Sequence, residues 1–543
     1  MLRFILLCST SIVLFSSEIT LEDLSSKPSG RVKNFMIWQF LRQDITPQEA
    51  DKAYAMVEGN VYKVKKQYLK KSKNKEILEK KKCRNERDLL SIKDEECFNM
   101  ALSPYKTLHL DEDTRSKVLE KVQNTAKKDQ IKIQAESYDE KSYAKYSPNT
   151  ILSMFISTTS KHRRKNLDLK LSKRFVQRIF SNEASNWRKF AIVKIIVNDD
   201  NLVNLQKSIL HVNPNTVDAK TNFLLGINQL RHGHNQRAVK HFKVSAKKSK
   251  LRIDKDKSYF WAYQATKKKS FLRKMFAHMD INIYSLYAHE VLKVEVDNYF
   301  YSTDIAQTSS DMDITDPFVW SDVMDDVKSA SKKNIFDLIE KYNHQDMVSV
   351  HAVLIQKAYD YKIHGYILPY EEHLKNVDND TKALVYALMR QESQLVPSAL
   401  SRSFALGLMQ IMPFVTDHLS KDIENPIQTY NDMFKPSYNI RYGLKHLNWL
   451  KKTFYHPLFV AYAYNGGIGF FRKHLKAKTF QEGKFEPFLS MELMSNRESR
   501  EYGKRVLANY VMYKKILGEE VSIVTLLETL TDQKKTDRYR SKG

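Results

Sequence analysis

The chain has 543 residues and a formal net charge of +26, with 42% hydrophobic and 28% charged residues. This balance is typical of globular proteins and excludes an intrinsically disordered chain, and the length predicts roughly two to four domains rather than one core. Glycine and proline are scarce, at 14 and 13 residues, which predicts a mostly helical protein.

The N-terminus, MLRFILLCSTSIVLFSSEIT, has the pattern of a secretory signal. One arginine precedes an apolar stretch from Phe4 to Phe15, and the small Ser16 and Ser17 follow. We expect a signal peptide over residues 1–17, because the apolar stretch is shorter than the roughly 18 residues that span a bilayer. Cys8 lies inside the apolar core and follows no small residues, so a lipoprotein is disfavoured. The sequence therefore predicts an exported, soluble protein.

Cys83 and Cys97 are the two cysteines that remain after removal of the signal peptide. In an oxidising compartment such a pair is more often a disulfide than a metal site, since no histidine stands beside either cysteine. We predict a Cys83–Cys97 disulfide; two buried free thiols are the alternative.

The positive charge is concentrated in lysine runs such as KVKKQYLKKSKNK and KKKSFLRK. Nucleic acid is the usual partner of such a charge, but export argues against it. A polyanionic polymer outside the cytoplasm, such as the cell wall, fits both observations. The alternative for each single run is a solvated helix face.

Helical periodicity is clear from about 186 to 269, in paired segments. One pair places Gly226 in its first helix, breaks at Gly233 and continues through Phe242, which is similar to a tetratricopeptide-type helix pair. We predict an all-α protein with a superhelical domain over 18–310. A linker domain over 311–365, a C-terminal domain over 366–530 and a polar tail over 531–543 follow.

Glu392 stands where an apolar helix runs into a polar turn, ahead of the dense apolar run GLMQIMP. Burial of a carboxyl against nonpolar groups raises its pKa, which is what an acid catalyst of glycosidic cleavage requires. Leu408, Met409 and Met412 are candidates for that nonpolar wall. No Asp or Glu occurs between Glu392 and Asp417, which favours a mechanism with one carboxylate. A solvated surface charge is the alternative interpretation of Glu392.

Four stretches follow one another in the C-terminal domain, namely RQES from Arg390, GLMQIMP from Gly407, AYNGGIG from Ala463 and MELMSNRESREYGKRVL from Met491. Together they resemble the catalytic domain of the soluble lytic transglycosylases, which has a goose-type-lysozyme-like fold. The preceding helices resemble, more loosely, the superhelix of the large member of that family, which closes into a ring.

The resemblance implies a peptidoglycan lytic transglycosylase in the periplasm that acts on glycan strands as a monomer. Glu392 would protonate the β-1,4 bond between N-acetylmuramic acid and N-acetylglucosamine and then deprotonate the muramyl 6-hydroxyl, leaving a 1,6-anhydro end. No cofactor and no metal are implied, and a closed helical ring would favour exolytic cutting during wall turnover. Peripheral contact with the wall or outer membrane is compatible with this activity, and nucleic acid is not an expected partner.

The resemblance also assigns residues around the acid. Substrate binding is expected of Ser393, Ser401, Gln410, Met412, Tyr464, Asn465 and Glu492, and Tyr464 is expected to hydrogen-bond Glu392. Gln410 and Met412 have an alternative role as core and groove wall, and Tyr464 as a packed aromatic. Glu492 is expected to be structural or substrate-orienting rather than a general base.

Three departures from the family pattern stand out. Phe404 replaces a glycine ahead of GLMQ, which is expected to narrow one sugar subsite. AYNGG replaces the commoner AYNAG, and Leu493–Asn496 replaces an apolar segment containing proline, which leaves the placement of Glu492 open. Two alternatives to the main hypothesis remain, a hydrolytic muramidase of the same fold and a noncatalytic wall-binding scaffold.

Overall fold

The structure is a computed structural model that describes residues 18–180, 185–199, 201–477 and 479–540. The predicted signal peptide over residues 1–17, with Cys8, lies outside the described residues. So do the last three residues of the predicted tail. None of the helices in the described part of the chain combines the length and apolar composition needed to cross a membrane.

The chain forms two compact units. The first unit comprises Met1–Lys73, Tyr299–Thr453 and Asn509–Glu520, and the second comprises Asn74–Asn298, Phe454–Ala508 and Val521–Gly543. Each unit thus combines segments that are far apart in the sequence. The predicted domain boundaries at 310, 365 and 530 follow the order of the chain instead, and they stay predictions.

The first unit begins with four helices, Leu21–Ser26, Arg31–Phe40, Pro47–Ala55 and Tyr62–Lys71. Its central part contains the helices Pro317–Ser329, Ile335–Lys341, Val348–Ala358, Asn379–Ser393, Pro413–Leu419 and Pro436–Lys451. Two short parallel strands, Tyr299–Phe300 and His364–Gly365, pair in the register Tyr299 to His364. Local sequence sets the helix starts; Thr46, for example, accepts a hydrogen bond from the backbone of Glu49 in a capping box.

The second unit is a long series of short helices. In chain order they are Lys75–Asn85, Glu95–Ala101, Pro104–Leu108, Glu112–Lys121, Thr125–Lys132, Glu140–Tyr143, Pro148–Ser157, Ser160–His162, Lys173–Phe180, Asn186–Val193, Val203–Ser208, Ala219–Arg231, Asn235–Lys248, Arg252–Thr266, Ser270–Phe276 and Ile283–Leu292. The later part adds Pro457–Gly466, Ile468–Lys476, Phe488–Glu492, Ile523–Glu528 and Gln533–Thr536. The helix Arg497–Ile516 contributes residues to both units.

The predicted helix pair around Gly226 is present as Ala219–Arg231 followed by Asn235–Lys248. A Cβ at Gly226 would lie 2.5 Å from the Phe242 ring, so only glycine permits this close approach of the two helices. The Phe242 ring in turn lies 5.9 Å from the Phe223 ring and 6.3 Å from the Trp261 ring, which joins three consecutive helices through aromatic contacts.

The predicted disulfide between Cys83 and Cys97 is present, with the two Cα atoms 5.1 Å apart. It joins the helices Lys75–Asn85 and Glu95–Ala101 of the second unit. These helices border a small core that includes Leu89, Phe98 and Val118. The disulfide therefore cross-links two helices that border this core.

Candidate active site

Glu392 is the penultimate residue of the helix Asn379–Ser393. Asp378 caps the start of this helix by accepting a hydrogen bond from the Thr381 amide at 2.9 Å. The segment from Ala383 to Met389 is buried, which fixes the helix in the core of the first unit. Gln394 then ends the helix in the left-handed conformation, at φ 54°. Glu392 is half-buried at this end.

Arg390 anchors the same end of the helix to neighbouring segments. Its guanidinium donates to the Gly365 carbonyl at 2.9 Å and to the Asn509 Oδ1 at 2.8 Å. It also stacks on Tyr366, with 4.2 Å between the guanidinium carbon and the ring centroid. Because these contacts leave Arg390 little freedom, the backbone that carries Glu392 is rigid.

Ser393 ties the helix end to the GLMQIMP segment. Its hydroxyl lies 3.1 Å from the Met389 carbonyl and 2.8 Å from the Leu408 carbonyl, and the single proton is shared between them. Within the described residues the hydroxyl thus serves the protein backbone. The predicted contact of Ser393 with substrate stays a prediction.

The loop from Ala399 to Pro413, called here the substrate loop, is built on backbone bridges. Leu406 pairs with both Leu400 and Ile411, and Gly407 turns the chain at φ +70°. A Cβ at Gly407 would lie 2.2 Å from the Asn439 Nδ2, so the position requires glycine for conformation and for space.

Asn439, from the helix Pro436–Lys451, is a residue that sequence reasoning missed. It is fully buried, and its Oδ1 accepts from the Met409 amide at 2.8 Å. Its Nδ2 donates to the carbonyls of Leu406 and Met433 at 2.9 and 2.7 Å. One side chain therefore fixes the middle of the substrate loop. An asparagine in a helix gives no signal of such a role, since most helical asparagines are exposed.

The residues of the substrate loop predicted to bind sugar are held by the loop itself. Gln410 adopts φ +48°, and its Nε2 donates to the carbonyls of Ala399 and Gly407 at 2.9 and 2.8 Å. Ser401 Oγ accepts from the amides of Ser403 and Ala405 at 3.2 and 2.8 Å. Both side chains are half-buried, so each retains an accessible part.

Three residues were predicted to form a nonpolar wall beside Glu392, and two of them belong to the buried core. Leu408 and Met409 have no exposed surface, while Met412 is half-buried at the start of the helix Pro413–Leu419. Both roles expected of Met412, as core and as groove wall, stay predictions.

Phe404 differs from expectation. Its side chain is only 1% exposed, so the ring has no free face with which to narrow a sugar subsite. It packs instead on the helix Arg31–Phe40, with its centroid 5.3 Å from that of Phe35. The residues near position 404 gave no sign of this contact, because Phe35 is far away in the sequence.

The second unit carries the other predicted site residues. Tyr464 and Asn465 lie at the end of the helix Pro457–Gly466, and both are half-buried. Asn465 Oδ1 accepts a hydrogen bond from Ser499 Oγ at 2.8 Å. Gly467 follows with φ +82°, a conformation that favours glycine, and ends the helix.

Glu492 belongs to a buried charged cluster. It is 3% exposed; one carboxylate oxygen accepts from the Tyr284 hydroxyl and the other lies 2.8 Å from Lys504 Nζ. Lys504 Nζ also lies 3.5 Å from one carboxylate oxygen of Glu501. The other oxygen of Glu501 lies 3.9 Å from Lys257 Nζ. This placement favours the structural role of the two expected for Glu492, and its contact with substrate stays a prediction.

Burial and charge pairing shift the pKa values in this cluster. Burial raises the pKa of the Tyr284 hydroxyl well above its usual range, with further contributions from Glu492 and Glu501. Burial also lowers the pKa of Lys504, against the opposing pull of both carboxylates. Burial by itself would raise the pKa of Glu501, but Lys504 and Lys257 outweigh it and lower that pKa. The cluster is stable only as a set of mutually compensating charges.

Arg500 and Tyr502 hold the conformation of the segment after Glu492. Arg500 donates to the Met494 carbonyl at 2.9 Å, and Tyr502 is buried. In the part of the chain that the structure describes, no three His, Cys, Asp or Glu side chains are grouped so that they could hold a metal ion.

Comparison with known proteins finds a family match over the segment that contains Glu392 and the substrate loop. Residues 370–485 match the family model described as "Transglycosylase SLT domain". The soluble lytic murein transglycosylase of Escherichia coli K12 is 29% identical over 209 residues, covering 37% of this chain and 32% of that protein. The membrane-bound lytic murein transglycosylase C of Pectobacterium atrosepticum is 28% identical over 196 residues, covering 31% of this chain and 53% of that protein.

Among solved structures, the 70-kDa soluble lytic transglycosylase in complex with bulgecin A matches 93% of this chain and 84% of its own. The TM-score is 0.50 at 16% sequence identity, which shows a similar fold and nothing further. The predicted all-α fold and the predicted resemblance to soluble lytic transglycosylases are thereby confirmed. This chain spans about a third of the length of the curated E. coli relative.

Proposed function

We propose that this protein is a peptidoglycan lytic transglycosylase that cleaves the β-1,4 bond between N-acetylmuramic acid and N-acetylglucosamine. The observation that carries the proposal is the end of the helix Asn379–Ser393. There a half-buried Glu392 stands between Arg390 and Ser393, both of which are anchored in the protein. This helix end lies inside the segment that matches the transglycosylase family model.

Glu392 would act twice. As an acid it gives its proton to the glycosidic oxygen, whose bond to the anomeric carbon C1 of N-acetylmuramic acid breaks. As a base it then takes the proton of the 6-hydroxyl of the same muramyl residue. The 6-oxygen attacks the same carbon and forms the 1,6-anhydro bridge, so the proton returns to Glu392 and no water is consumed. The nucleophile is already part of the substrate, and this proximity is worth several kcal/mol. A second catalytic carboxylate is therefore unnecessary.

The substrate loop supports the sugar during this step. Ser401 and Gln410 are held in place by backbone hydrogen bonds, so they do not have to be ordered when glycan binds. We assign them, with Met412, Tyr464 and Asn465, to glycan binding. We also propose that the protein works outside the cytoplasm, in the periplasm, as a monomer that cuts glycan strands from their ends during wall turnover.

Product analysis tests the reaction. Purified sacculi are digested with the protein, and the released fragments are examined by mass spectrometry. The proposal predicts muropeptides with 1,6-anhydromuramic acid ends, one water lighter than hydrolysis products. Reducing muramic acid ends would identify a hydrolytic muramidase instead, and sacculus binding without release of fragments would identify a noncatalytic scaffold.

A further inference from the structure

The substrate loop is attached to the N-terminal segment of the first unit through four aromatic rings. Phe404 lies 5.3 Å from Phe35 and 5.8 Å from Trp38, centroid to centroid. Tyr430 lies 6.3 Å from Phe35 and 5.9 Å from Trp38. We call these four residues the aromatic clamp. Aromatic pairs at such distances add attraction to the burial of their surface.

Two cations reinforce the clamp at the backbone of the substrate loop. Arg31 Nη1 donates to the Leu400 carbonyl at 2.9 Å, and Lys63 Nζ donates to the Ser403 carbonyl. The two carbonyls lie on either side of Ser401. The N-terminal segment therefore grips the loop where it carries a residue assigned to the glycan.

A third cation, Arg42, contacts two members of the aromatic clamp. Arg42 lies 4.6 Å above the Trp38 ring and donates to the Tyr430 hydroxyl at 2.6 Å. The same hydroxyl donates to Asp417 at 2.6 Å, and Asp417 stands 3.6 Å from Arg42. These contacts couple Trp38 to the helix Pro413–Leu419, which follows the substrate loop.

Phe404 occupies this position against its own backbone preference. Its φ is +59°, in the left-handed region that bulky residues rarely adopt. Such a conformation persists only where the surrounding structure determines it. A glycine would adopt it freely, but it would have no ring to bury. The ring of Phe404 thus compensates a backbone cost through its burial against Phe35 and Trp38.

We infer that Phe404 is a positioning residue, through which the N-terminal segment holds the substrate loop in its binding conformation. The inference rests on the proposed function only where it takes Ser401 and Gln410 to be glycan contacts. The attachment of the loop to the N-terminal segment can be measured without any substrate.

Amide hydrogen exchange of the full chain is the first measurement. Phe404→Gly removes the ring and introduces a residue that adopts positive φ without strain. The amides of Leu406, Gly407 and Ile411 are hydrogen-bonded within the loop. Their exchange is expected to rise about tenfold or more, because local opening is favoured. Exchange in the helix Pro436–Lys451 is expected to stay unchanged.

Two further variants make the result specific. Trp38→Ala should raise loop exchange in the same way, and Trp38→Phe, which keeps a ring, should restore protection. Tyr342→Leu is the matched control, since Tyr342 is a buried aromatic of the same unit that packs in a separate core with Val323 and Leu354. That control should leave exchange of the substrate loop unchanged.

The second measurement is the affinity of a soluble β-1,4-linked N-acetylglucosamine oligosaccharide, determined by calorimetry in a Glu392→Gln background. Phe404→Gly is expected to weaken binding about tenfold, since the loop then has to be ordered when glycan binds. Loop exchange equal to that of the wild type, or a rise spread evenly over residues 299–453, would overturn the inference. Faster loop exchange with unchanged affinity would support the clamp and count instead against the proposed glycan contacts of Ser401 and Gln410.

Discussion

Asn439 satisfies three backbone groups of the first unit with one buried amide. Asn439→Ala leaves these groups without partners, and each unsatisfied buried group costs about 1–3 kcal/mol. We expect a loss of at least about 2 kcal/mol in the free energy of unfolding, together with reduced sacculus digestion. Urea unfolding measures the first effect. Asn448→Ala, at an exposed position of the same helix, is the control and should change neither quantity.

Lys504 compensates the charge of Glu492 inside the second unit. Lys504→Met would leave the buried Glu492 and the half-buried Glu501 with too little positive charge. Removing one partner of a buried pair costs about 3–5 kcal/mol. Adding Glu492→Gln to the same chain should recover part of that loss, and a double-mutant cycle in urea measures the recovery.

The same variants separate the two roles expected for Glu492. If Glu492 is structural, Glu492→Gln lowers the midpoint of unfolding and leaves the KM for soluble glycan unchanged at a temperature where the protein is folded. A raised KM with unchanged stability would contradict the structural role and restore the predicted contact with substrate.

At the level of single elements, the disulfide links two short helices of the second unit across 14 residues of sequence. In the chain-entropy account, closure of such a loop stabilises the folded state by roughly 3 kcal/mol. Cys83→Ser with Cys97→Ser should lower the stability of the second unit by about that amount. Thermal unfolding under oxidising and reducing conditions checks this. A wild-type protein whose stability does not respond to reductant would contradict it.

The sequence predicted those elements that depend on residues close together in the chain. The helix that ends near Glu392, the helix pair around Gly226 and the Cys83–Cys97 bridge were all visible as short patterns. Contacts between distant segments were not. The packing of Phe404 on Phe35 joins residues 369 positions apart, as does the bond from Arg31 to Leu400 that accompanies it. Hydrophobic periodicity predicts which face of a helix is buried, but it does not predict which distant segment packs against that face.

The site could be predicted to the same extent. Motif order predicted Glu392 as the acid and the loop after it as its surroundings, because glycosidic cleavage needs an acid carboxyl beside a sugar-binding surface. It could not identify Asn439, whose role depends on a contact between two segments. It also left Glu492 between two roles, since burial beside Lys504 and Tyr284 is set by the fold.

At the level of the whole molecule, buried histidines make the protein sensitive to acid. Burial lowers the pKa of His241, His456 and His474 to about 4, below the usual 6.5. The unfolded chain therefore binds protons more readily between these values. Stability is fully present above pH 6.5 and falls as the pH decreases toward 4, by roughly 3 kcal/mol for each such histidine.

His456 allows this pH dependence to be checked. Its Nε2 donates to the Leu526 carbonyl at 2.9 Å and its Nδ1 accepts from the Leu458 amide at 3.1 Å, so the neutral ring is fully used. His456→Gln should reduce the slope of unfolding free energy against pH between 6.5 and 4, although the variant itself is less stable. His418→Gln, at an exposed position, is the control. An unchanged slope in His456→Gln would contradict this origin of the acid sensitivity.

The proposed reaction depends on one carboxyl, and the most direct measurement is the rate at which Glu392→Gln releases anhydromuropeptides from sacculi. We predict a loss of at least about a hundredfold, the typical contribution of a general acid, with the melting temperature unchanged. Glu424→Gln, at an exposed position within the matched segment, should retain the wild-type rate. A folded Glu392→Gln variant that forms anhydro ends at the wild-type rate would contradict the central claim.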